Sequence, residues 1–426
     1  MQNDYDIIII GAGAAGLMAA SELSKKGKTV LILEGRNRIG GRVHSIIEND
    51  ILYEGGAEFI HGNLPLTLGL LKEFGISYSR NSGEMGRSKN GKWIRENEFM
   101  KGWDLLIEKM GKLKKDVDLK SFLDLNLKGL KYRNLRDSAT RFAQGFDLVD
   151  INRASTIELF KEWKNEEHDS YRIDLGYGAL MDSLLERAKS NNSAILLNQT
   201  VKQIIWQKNN VQAITVNKKT FRAKKILITV PIPLLQNEAN EAGIDFLPNP
   251  GKLKEAFQQI GFGSVIKVVL SFKIPFWLKG NKPLGFIISD QRIPTWWILT
   301  SGNAHVVTGW LGEPYAKIWS IKTDDAITRM ALTSLSVIFG LSLRSIKAHV
   351  DKSYVFNWQK DPYALGGYSY LLPSSKGPKK LLMHPVEGTL FFAGEALYQG
   401  RFPGTVEAAL WSGKTVSEKL LAETAN

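Results

Sequence analysis

The fold is decided near the start of the chain, where residues 5–16 read YDIIIIGAGAAG. The aromatic and β-branched run from Tyr5 to Ile10 predicts a strand that is buried on both faces. Helix-forming residues from Leu17 to Lys25 predict a helix that ends at Gly27, and residues 29–33 predict a second strand. A glycine-rich turn placed between a strand and a helix is typical of a dinucleotide-binding βαβ unit.

The residues of this turn have separate physical tasks in such a unit. Gly11 permits the tight turn, Gly13 lets the backbone approach a pyrophosphate, and Gly16 allows the helix to pack closely on the strand. Ala15 belongs to the same turn, and the N-terminus of the helix that follows faces the phosphates. Glu34, at the end of the second strand, can accept hydrogen bonds from an adenosine ribose, and its charge would repel a 2′-phosphate. An ordinary glycine-rich turn of an α/β protein is the alternative.

Composition excludes several classes of site and of location. With 426 residues, of which 43% are hydrophobic, the chain can form two or three sub-domains with substantial cores. Its apolar runs are shorter than the roughly 20 residues that cross a bilayer, and its polar first residues do not resemble a secretory signal. We therefore expect no membrane span and a cytoplasmic location. The absence of cysteine excludes disulfides, thiolate metal sites and a cysteinyl link to a cofactor, and the six scattered histidines predict no metal site.

The net charge of +13 is spread along the chain, with acidic residues between the basic ones. Because no block of five or six like charges occurs, we predict no nucleic-acid partner. The positive charge argues mildly against a highly cationic substrate. A local acidic group formed by Glu162, Glu166, Glu167 and Asp169 could override that charge.

The middle of the chain changes in character. Residues 78–174 predict a helical insertion, with amphipathic stretches at 103–113 and 140–149. Strand patterns return between residues 195 and 230, where Pro231 ends the last of them.

The later part of the chain combines a second sheet with a return to the first domain. Residues 241–385 predict a sheet-based substrate domain with one helix at 324–339, and a strand at 390–393 and a helix at 406–422 follow. The predicted fold class combines α/β and α+β, with a Rossmann-type domain interleaved with a mixed-sheet domain and a helical insertion. The predicted Rossmann-type domain is discontinuous and comprises residues 1–77, 175–240 and 386–426.

From Gly40-Gly41-Arg42 onwards the chain resembles the flavin-containing amine oxidase superfamily, which includes monoamine oxidases, polyamine oxidases and histone-demethylating oxidases. Further segments resemble motifs of that family in the family's order, and the helical insertion is the least matched part. These segments are residues 52–62, 228–231, 263–268, 358–370, 392–395 and 404–409. The resemblance implies a flavoprotein that binds FAD, oxidises a small-molecule amine and uses O2 as acceptor.

The resemblance also implies which residues bind FAD. Arg42 would place its guanidinium on the pyrophosphate, and Glu395 would meet the sugar-like chain of the flavin. Thr405 and Val406 open a helix whose N-terminus would stabilise charge on the reduced flavin. Because Gly367 occupies the position at which monoamine oxidases carry a flavin-bonded cysteine, the implied FAD is non-covalent. The remaining implied contacts are Arg36, Gly41, Gly56, Ala57, Glu58, Val201 and Gly394.

Lys267 interrupts the apolar run at residues 265–270. On pattern alone, the period-2 alternation of a strand points this side chain to a solvated face, since a buried ammonium is costly unless it is paired. The family resemblance instead implies a catalytic lysine that holds a water near flavin N5 and assists hydride transfer or the reaction with oxygen.

The substrate side of the implied site departs from the monoamine oxidase pattern. Tyr368 resembles the family tyrosine on the substrate side of the flavin and is the second residue expected to be catalytic. Thr405 replaces the second aromatic residue of the monoamine oxidase sandwich, which widens the pocket and favours a polyamine or secondary amine. His61 either contacts the distal amine, as in polyamine oxidases, or packs in the interior. Trp358 either walls the pocket or fills the core, and Tyr363 is predicted to pack.

The resulting hypothesis is a two-electron amine oxidation. A hydride equivalent passes from the amine α-carbon to flavin N5, the imine hydrolyses, and O2 regenerates FAD with release of H2O2. The alternatives are a flavin-dependent desaturase or dehydrogenase of a hydrophobic ring or polyene substrate, an amino acid oxidase, or an FAD-binding protein without catalysis. The sequence does not indicate the oligomeric state.

Overall fold

The structure is a computed structural model that describes residues 5–94, 100–164, 169–278, 284–301, 304–373 and 377–423. The strands are β1 Tyr5–Ile10, β2 Val30–Leu33, β3 Ser45–Glu48, β4 Ile51–Glu54, β5 Phe59–His61, β6 Tyr78–Arg80, β7 Glu84–Lys89, β8 Lys92–Ile94, β9 Ser170–Ile173, β10 Ser193–Leu196, β11 Val201–Gln207, β12 Asn210–Thr215, β13 Thr220–Ile228, β14 Asp245–Leu247, β15 Ile260–Phe262, β16 Ile266–Phe272, β17 Leu284–Ser289, β18 Thr295–Ser301, β19 Ala304–Leu311, β20 Val350–Asn357, β21 Ser369–Leu371 and β22 Leu390–Phe392.

The α-helices alternate with these strands. They are α1 Ala14–Lys25, α2 Pro65–Phe74, α3 Trp103–Gly111, α4 Leu119–Asn126, α5 Arg133–Gly145, α6 Thr156–Trp163, α7 Tyr177–Lys189, α8 Pro233–Gln236, α9 Lys252–Gln258, α10 Tyr315–Trp319, α11 Asp324–Phe339, α12 Leu343–His349, α13 Pro378–Leu382 and α14 Val406–Ala422. Short 3-10 turns lie at Leu130–Tyr132, Phe276–Leu278 and Glu395–Leu397.

The first sheet forms around β1, which pairs in parallel with β2 and with β13. The strand order is β10-β2-β1-β13-β12-β11-β14, and β22 also pairs with β13. Ile7 and Ile9 contribute to the core beneath α1 and α7, whereas Ile8 and Ile10 contribute to the core on the opposite face. Because both faces are covered, β1 has no polar side and reads as an uninterrupted apolar run.

The chain returns to this sheet near its C-terminal end. β22 adds in parallel beside β13, and α14 packs against α1. Gly413 makes the approach of the two helices possible, since a Cβ atom at this position would lie 2.2 Å from the Ala15 carbonyl oxygen. The predicted return of residues 390–393 and 406–422 is therefore present.

The second sheet has seven strands in the order β20-β16-β19-β18-β17-β7-β8. One face of β16 packs against α11 and α12 through Ile266, Val268 and Leu270. The opposite face packs against Tyr53 of β4 through Val269. Strand β16 is thus covered on both sides, although Lys267 interrupts its apolar run.

The segment predicted to be helical contains both helices and strands. Helices α3 to α6 share a core of their own, but residues 78–94 form β6, β7 and β8, of which the last two extend the second sheet. The helical prediction is wrong for this part. Residues 84–89 read EMGRSK and include no β-branched or aromatic residue, so they lack the composition from which a strand is predicted. The division into three domains stays a prediction.

Within the described residues, neither a single membrane-spanning helix nor a metal-binding group of side chains is found. No single helix in these ranges has both the length and the apolar composition to cross a membrane, while α11 and α12, bent by 114°, meet that criterion only when taken together. No group of three or more His, Asp or Glu side chains in these ranges is arranged to hold a metal ion.

Candidate active site

One continuous cavity of about 1820 Å³ extends from the glycine-rich turn to helix α5 and strands β7 and β17. Ligand pockets usually measure about 300–1,000 Å³, so this cavity has room for a dinucleotide and a substrate together. Gly16 is the one predicted site residue that does not line it. The others all do: Gly11, Gly13, Ala15, Glu34, Arg36, Gly41, Arg42, Gly56, Ala57, Glu58, His61, Val201, Lys267, Trp358, Tyr368, Gly394, Glu395, Thr405 and Val406.

The glycine-rich turn forms one end of the cavity. Gly16 lies beneath the turn, where a Cβ atom would approach the Gly11 carbonyl oxygen to 2.1 Å, and Gly11 itself has a φ of +99°. At Gly13 a Cβ atom would find its nearest neighbour, the Gly40 oxygen, 4.0 Å away. Gly13 is also the N-cap of α1 and has no side chain to cap the helix. The first N–H groups of α1 therefore face open space in which a phosphate group fits.

Glu34 is held at the rim of this turn. Its two carboxylate oxygens accept hydrogen bonds from the Ala12 backbone N–H at 2.7 Å and the Arg36 backbone N–H at 2.9 Å. The side chain is 4% exposed. Its position at the end of β2 and its fixed orientation suit the ribose contact that the sequence predicts, and that contact stays a prediction.

Arg36 links this end of the cavity to a distant loop. Its guanidinium forms an ion pair with Asp361 at 2.5 Å and lies 5.1 Å from the centre of the Tyr363 ring. The Tyr363 hydroxyl is 2.9 Å from the Thr200 hydroxyl, next to Val201. Tyr363 thus lines the cavity as well as packing. Asp361 and Thr200 were not predicted, because no local pattern reports a contact across more than 160 positions.

Arg42 and Glu395 meet in the middle of the cavity. Arg42 Nη1 donates to the Gly367 carbonyl oxygen at 2.6 Å and to Glu395 Oε1 at 3.0 Å. The Ser369 hydroxyl donates to Glu395 Oε2 at 2.8 Å. Two residues predicted to bind different parts of one cofactor are therefore joined to each other through a largely buried ion pair.

Lys267 lies on the wall of the cavity and is 1% exposed. Its Nζ donates to Glu58 Oε2 at 2.7 Å and to the Gly56 carbonyl oxygen at 3.0 Å. It also lies 5.2 Å from the centre of the Trp297 ring. The expectation of a solvated strand face is wrong, because the segment after β4, which includes Gly56 and Glu58, covers that face of the sheet and pairs the ammonium.

Glu58 accepts hydrogen bonds from three sides. Besides Lys267, the Trp297 indole N–H donates to Oε2 at 2.8 Å and Arg172 Nε donates to Oε1 at 3.0 Å. Burial by itself would raise the pKa of Glu58, but the charges of Lys267 and Arg172 outweigh it and hold the pKa below its ordinary value. The sequence predicted neither partner. Only the adjacent Trp296 and Trp297 in a strand give a sequence indication of such a partner. Because side chains alternate between the two faces of a strand, Trp296 points into the core and Trp297 into the cavity.

Tyr368 and His61 bring a hydroxyl and an imidazole to the cavity lining. The Tyr368 hydroxyl donates to the Phe146 carbonyl oxygen, and desolvation raises the pKa of Tyr368 well above its ordinary value. The His61 ring packs against Phe59 at 5.6 Å and Phe146 at 5.8 Å. Burial lowers the pKa of His61 to about 4, so the imidazole is neutral at physiological pH. His61 therefore both packs and lines the cavity.

Trp358 and Thr405 hold backbone segments of the cavity lining in place. The Trp358 indole N–H donates to the Gly55 carbonyl oxygen at 2.9 Å, and Trp358 is 5% exposed. Thr405 caps α14 by accepting from the Ala408 N–H at 3.1 Å. The neighbouring Gly404 lies against the Tyr368 ring, where a Cβ atom would be 3.2 Å from Cδ2. Where the monoamine oxidase pattern has its second aromatic residue, this chain thus has the helix-capping Thr405, preceded by Gly404.

The predicted acidic group is only partly at the cavity. Glu162 lines it, whereas Asp169 pairs with Arg80 and is not among the lining residues. Glu166 and Glu167 lie outside the described residues. Asp147, which the sequence did not predict, lines the cavity beside Glu162 and accepts a hydrogen bond from the Trp163 indole N–H at 2.9 Å.

Comparison with known proteins places this arrangement among flavoproteins. The sequence model of a family described as flavin containing amine oxidoreductase matches residues 14–127 and 96–421. Human lysine-specific histone demethylase 2 is 26% identical over 99% of this chain and 54% of its own length. The chain spans about half the length of this and several other curated relatives.

Solved structures show the same fold. A structure of putrescine oxidase bound to putrescine has a TM-score of 0.82 at 18% identity and covers 99% of each chain. Cyclohexylamine oxidase from Brevibacterium oxydans IH-35A has a TM-score of 0.82 at 18% identity over 100% of both chains. The predicted fold class is confirmed by this likeness.

Proposed function

Because the chain belongs to the flavin-containing amine oxidoreductase family, we propose that it binds FAD without a covalent link and oxidises a small amine with O2 as acceptor. The observation that carries the proposal is the single cavity in which the glycine-rich turn, the buried Lys267 and the neutral Tyr368 lie together. FAD would supply the acceptor for the hydride equivalent from the amine α-carbon, and its reoxidation by O2 would release H2O2.

The residues that would hold FAD suit its chemistry. Gly13 and Gly394 leave open space at their α-carbons, which lets a pyrophosphate approach the backbone. Glu34 would accept hydrogen bonds from the ribose, and Arg42 would supply positive charge to the phosphates. The chain contains no cysteine, which supports a non-covalent cofactor. Release of intact FAD into the supernatant after acid precipitation is the expected result, and flavin retained in the precipitate would contradict it.

The reaction end would exclude water and hold a proton at defined atoms. Lys267 contributes an ammonium paired with Glu58, and Tyr368 contributes an un-ionised hydroxyl, to the same cavity lining. The neutral His61 and the rings of Phe146 and Trp297 make the space between them mostly apolar. A neutral amine would lose less hydration here than an ammonium ion, so the site favours the form of the substrate that is able to give up its α-hydrogen.

The substrate proposal follows from the acidic residues on the aromatic side. Asp147 and Glu162 line the cavity near Tyr368, and both add to the electrostatic environment that raises the tyrosine pKa. A carboxylate at that place would attract a second, protonated amino group of the substrate. We therefore propose a diamine or polyamine, with a secondary amine as the next class.

The test is anaerobic bleaching of the FAD-loaded protein with one member of each class: cyclohexylamine, putrescine, spermidine and an N-alkylated diamine. Bleaching by an amine, followed by recovery of the yellow colour and formation of H2O2 on admission of air, is the expected result. An FAD-loaded protein that none of these amines bleaches would rule out the proposal. Preference for cyclohexylamine over the other amines would rule out only the proposal that Asp147 and Glu162 attract a second amino group of the substrate.

A further inference from the structure

Lys267 does not stand alone in the cavity wall but belongs to a buried group of three charges. Glu58 lies between two cations, with Lys267 on Oε2 at 2.7 Å and Arg172 on Oε1 at 3.0 Å. The exposed fractions of the three side chains are 1% for Lys267, 8% for Glu58 and 16% for Arg172. The formal sum of the group is one positive charge, on the wall that faces the cavity.

We propose that Glu58 is a positioning residue for the reaction: its ion pair holds the Lys267 ammonium at a fixed point of the wall, and Arg172 holds the other carboxylate oxygen of Glu58 in place for that task. The inference rests on the proposed function. It concerns a residue whose sequence pattern suggested a contact with the cofactor, whereas its side chain is directed to Lys267, Trp297 and Arg172.

The geometry fixes the carboxylate from three separate elements. Lys267 comes from β16, Trp297 from β18 and Arg172 from β9, so that neither oxygen of Glu58 can rotate away without losing a charge-assisted hydrogen bond. Arg172 is itself oriented, because its guanidinium lies 4.7 Å from the centre of the Phe59 ring. A rigid anion of this kind sets the position of the ammonium to within the tolerance that catalysis requires.

The remaining contacts of Lys267 would not replace Glu58. They are the Gly56 carbonyl oxygen at 3.0 Å and the face of the Trp297 ring at 5.2 Å, both of them uncharged. An ammonium that loses the anionic partner of a buried pair is strongly destabilised, and the charge of Glu54 acts on Lys267 without a direct contact. Without Glu58, no direct anionic contact would hold the Lys267 ammonium at this point of the wall.

A neighbouring glutamate shows that direct contact with the two cations is what keeps the pKa of Glu58 low. Glu54 is as deeply placed as Glu58, but its hydrogen bonds come from the uncharged Ser45 hydroxyl and Tyr177 N–H. Burial raises the pKa of Glu54 to about 7, whereas the pKa of Glu58 stays below its ordinary value. Four positions apart on the chain, the two carboxylates differ in having or lacking direct contact with Lys267 and Arg172.

The first experiment is a double-mutant cycle on anaerobic flavin reduction, with Glu58→Gln, Lys267→Met and the double variant. We expect Glu58→Gln to slow reduction by about 10- to 100-fold, the size of effect that a misplacement of ~1 Å can produce. In the Lys267→Met background the same substitution should change the rate by less than about twofold, because Glu58 acts through the lysine. Equal slowing in both backgrounds would overturn the proposal.

A conservative variant separates positioning from simple structural support. Glu58→Asp keeps the negative charge that pairs with Lys267, so it should recover at least part of the rate of flavin reduction that Glu58→Gln loses. Glu54 and Arg172 are the other charged groups that face the pair, and both remain in either variant. Equal slowing of flavin reduction in the Asp and Gln variants would contradict the proposal.

The second experiment uses the FAD-free protein and no substrate. If the two side chains are paired, the losses in Tm caused by Glu58→Gln and Lys267→Met should be non-additive, with the double variant less destabilised than the sum of the two. Additive losses would refute the pairing whatever the reaction is. Failure of every amine to bleach the flavin, with non-additive losses in Tm, would instead refute the proposed function and with it the catalytic purpose of the pair.

Discussion

Arg42 and Glu395 stand 353 positions apart in the sequence, yet the Arg42 guanidinium lies 3.0 Å from the Glu395 carboxylate. The pair joins the loop after the Rossmann-type βαβ unit to the turn that follows β22. Both side chains line the cavity. A side chain from the early part of the chain is thus held in the cavity lining by one from near its end.

Breaking this pair should weaken FAD binding. Glu395→Ala would leave the Arg42 guanidinium without its anion, and a hydrogen bond to a charged group contributes about 1.5–3 kcal/mol. We expect the Kd for FAD to rise by about 10- to 100-fold in a fluorescence titration of the FAD-free protein. Glu238→Gln, which breaks an exposed ion pair with Lys254, should leave Kd unchanged. Equal Kd values for the Glu395 variant and the control would exclude a role for the pair in FAD binding.

Lys267→Met should impair the reaction rather than the fold of the cavity. We expect flavin reduction or reoxidation to slow by about 100-fold, the lower end of the range for a group that assists proton transfer. The matched control is Lys225→Met, because Lys225 is also a buried strand lysine, 5% exposed, but pairs with the Gly388 carbonyl oxygen and does not line the cavity. Stopped-flow spectra recorded first without and then with oxygen separate the two half-reactions. Normal rates for both half-reactions in the Lys267 variant would remove it from the mechanism.

Gly16→Ala should destabilise the glycine-rich turn. The added Cβ atom would lie 2.1 Å from the Gly11 carbonyl oxygen, and such overpacking costs about 1–3 kcal/mol of the free energy of unfolding. In the control Gly69→Ala, the new Cβ within α2 has no neighbour within 4 Å, so better helix propensity should stabilise the protein by up to ~1 kcal/mol. Urea unfolding of both FAD-free variants measures the difference. A Gly16 variant as stable as the Gly69 variant would show that the turn relaxes.

Glu54→Gln should change how stability depends on pH. Burial raises the pKa of Glu54 from its ordinary value of 4.5 to about 7, so the folded state binds its proton more tightly than the unfolded state does. The stability that this proton contributes is present below pH 4.5 and is lost as the pH rises through 7. The loss corresponds to roughly 3 kcal/mol at most.

The corresponding measurement is Tm against pH for the unaltered protein and the Glu54→Gln variant. We expect the Tm of the Glu54→Gln variant to rise relative to that of the unaltered protein between pH 4.5 and 7. Above pH 8 the difference in Tm should stay constant. His61, whose pKa burial lowers to about 4, titrates in the opposite sense but equally in both proteins. Parallel curves across this range would show that Glu54 is not the group that titrates.

Sequence reasoning succeeded where one segment determines its own structure. The apolar run of β1, the glycines of the turn and the helix at 406–422 are defined by local patterns, and the structure places them as predicted. The family resemblance supplied Lys267, Tyr368 and Glu395, which no local pattern would have joined into one cavity. Their spatial proximity follows from the fold, and the fold was predictable from the order of the motifs.

The errors occurred where distant segments decide the environment. On pattern alone Lys267 points to a solvated strand face, but the segment of Gly56 and Glu58 covers that face from more than 200 positions away. Arg172 and Trp297 carry no motif and were missed. Strand β7, with the sequence EMGRSK, pairs with β17 and with β8, so its structure is set by pairing with neighbouring strands rather than by composition.

The close packing of α14 on α1 through Gly413 and Ala15 has a consequence for biosynthesis. α1 is apolar or small almost all round, and it has to wait for a helix synthesised about 400 positions later before that surface is covered. At roughly 5–20 residues per second of translation, the delay is on the order of tens of seconds. Throughout that interval the nascent chain exposes the apolar surface of α1 to the ribosome and to chaperones.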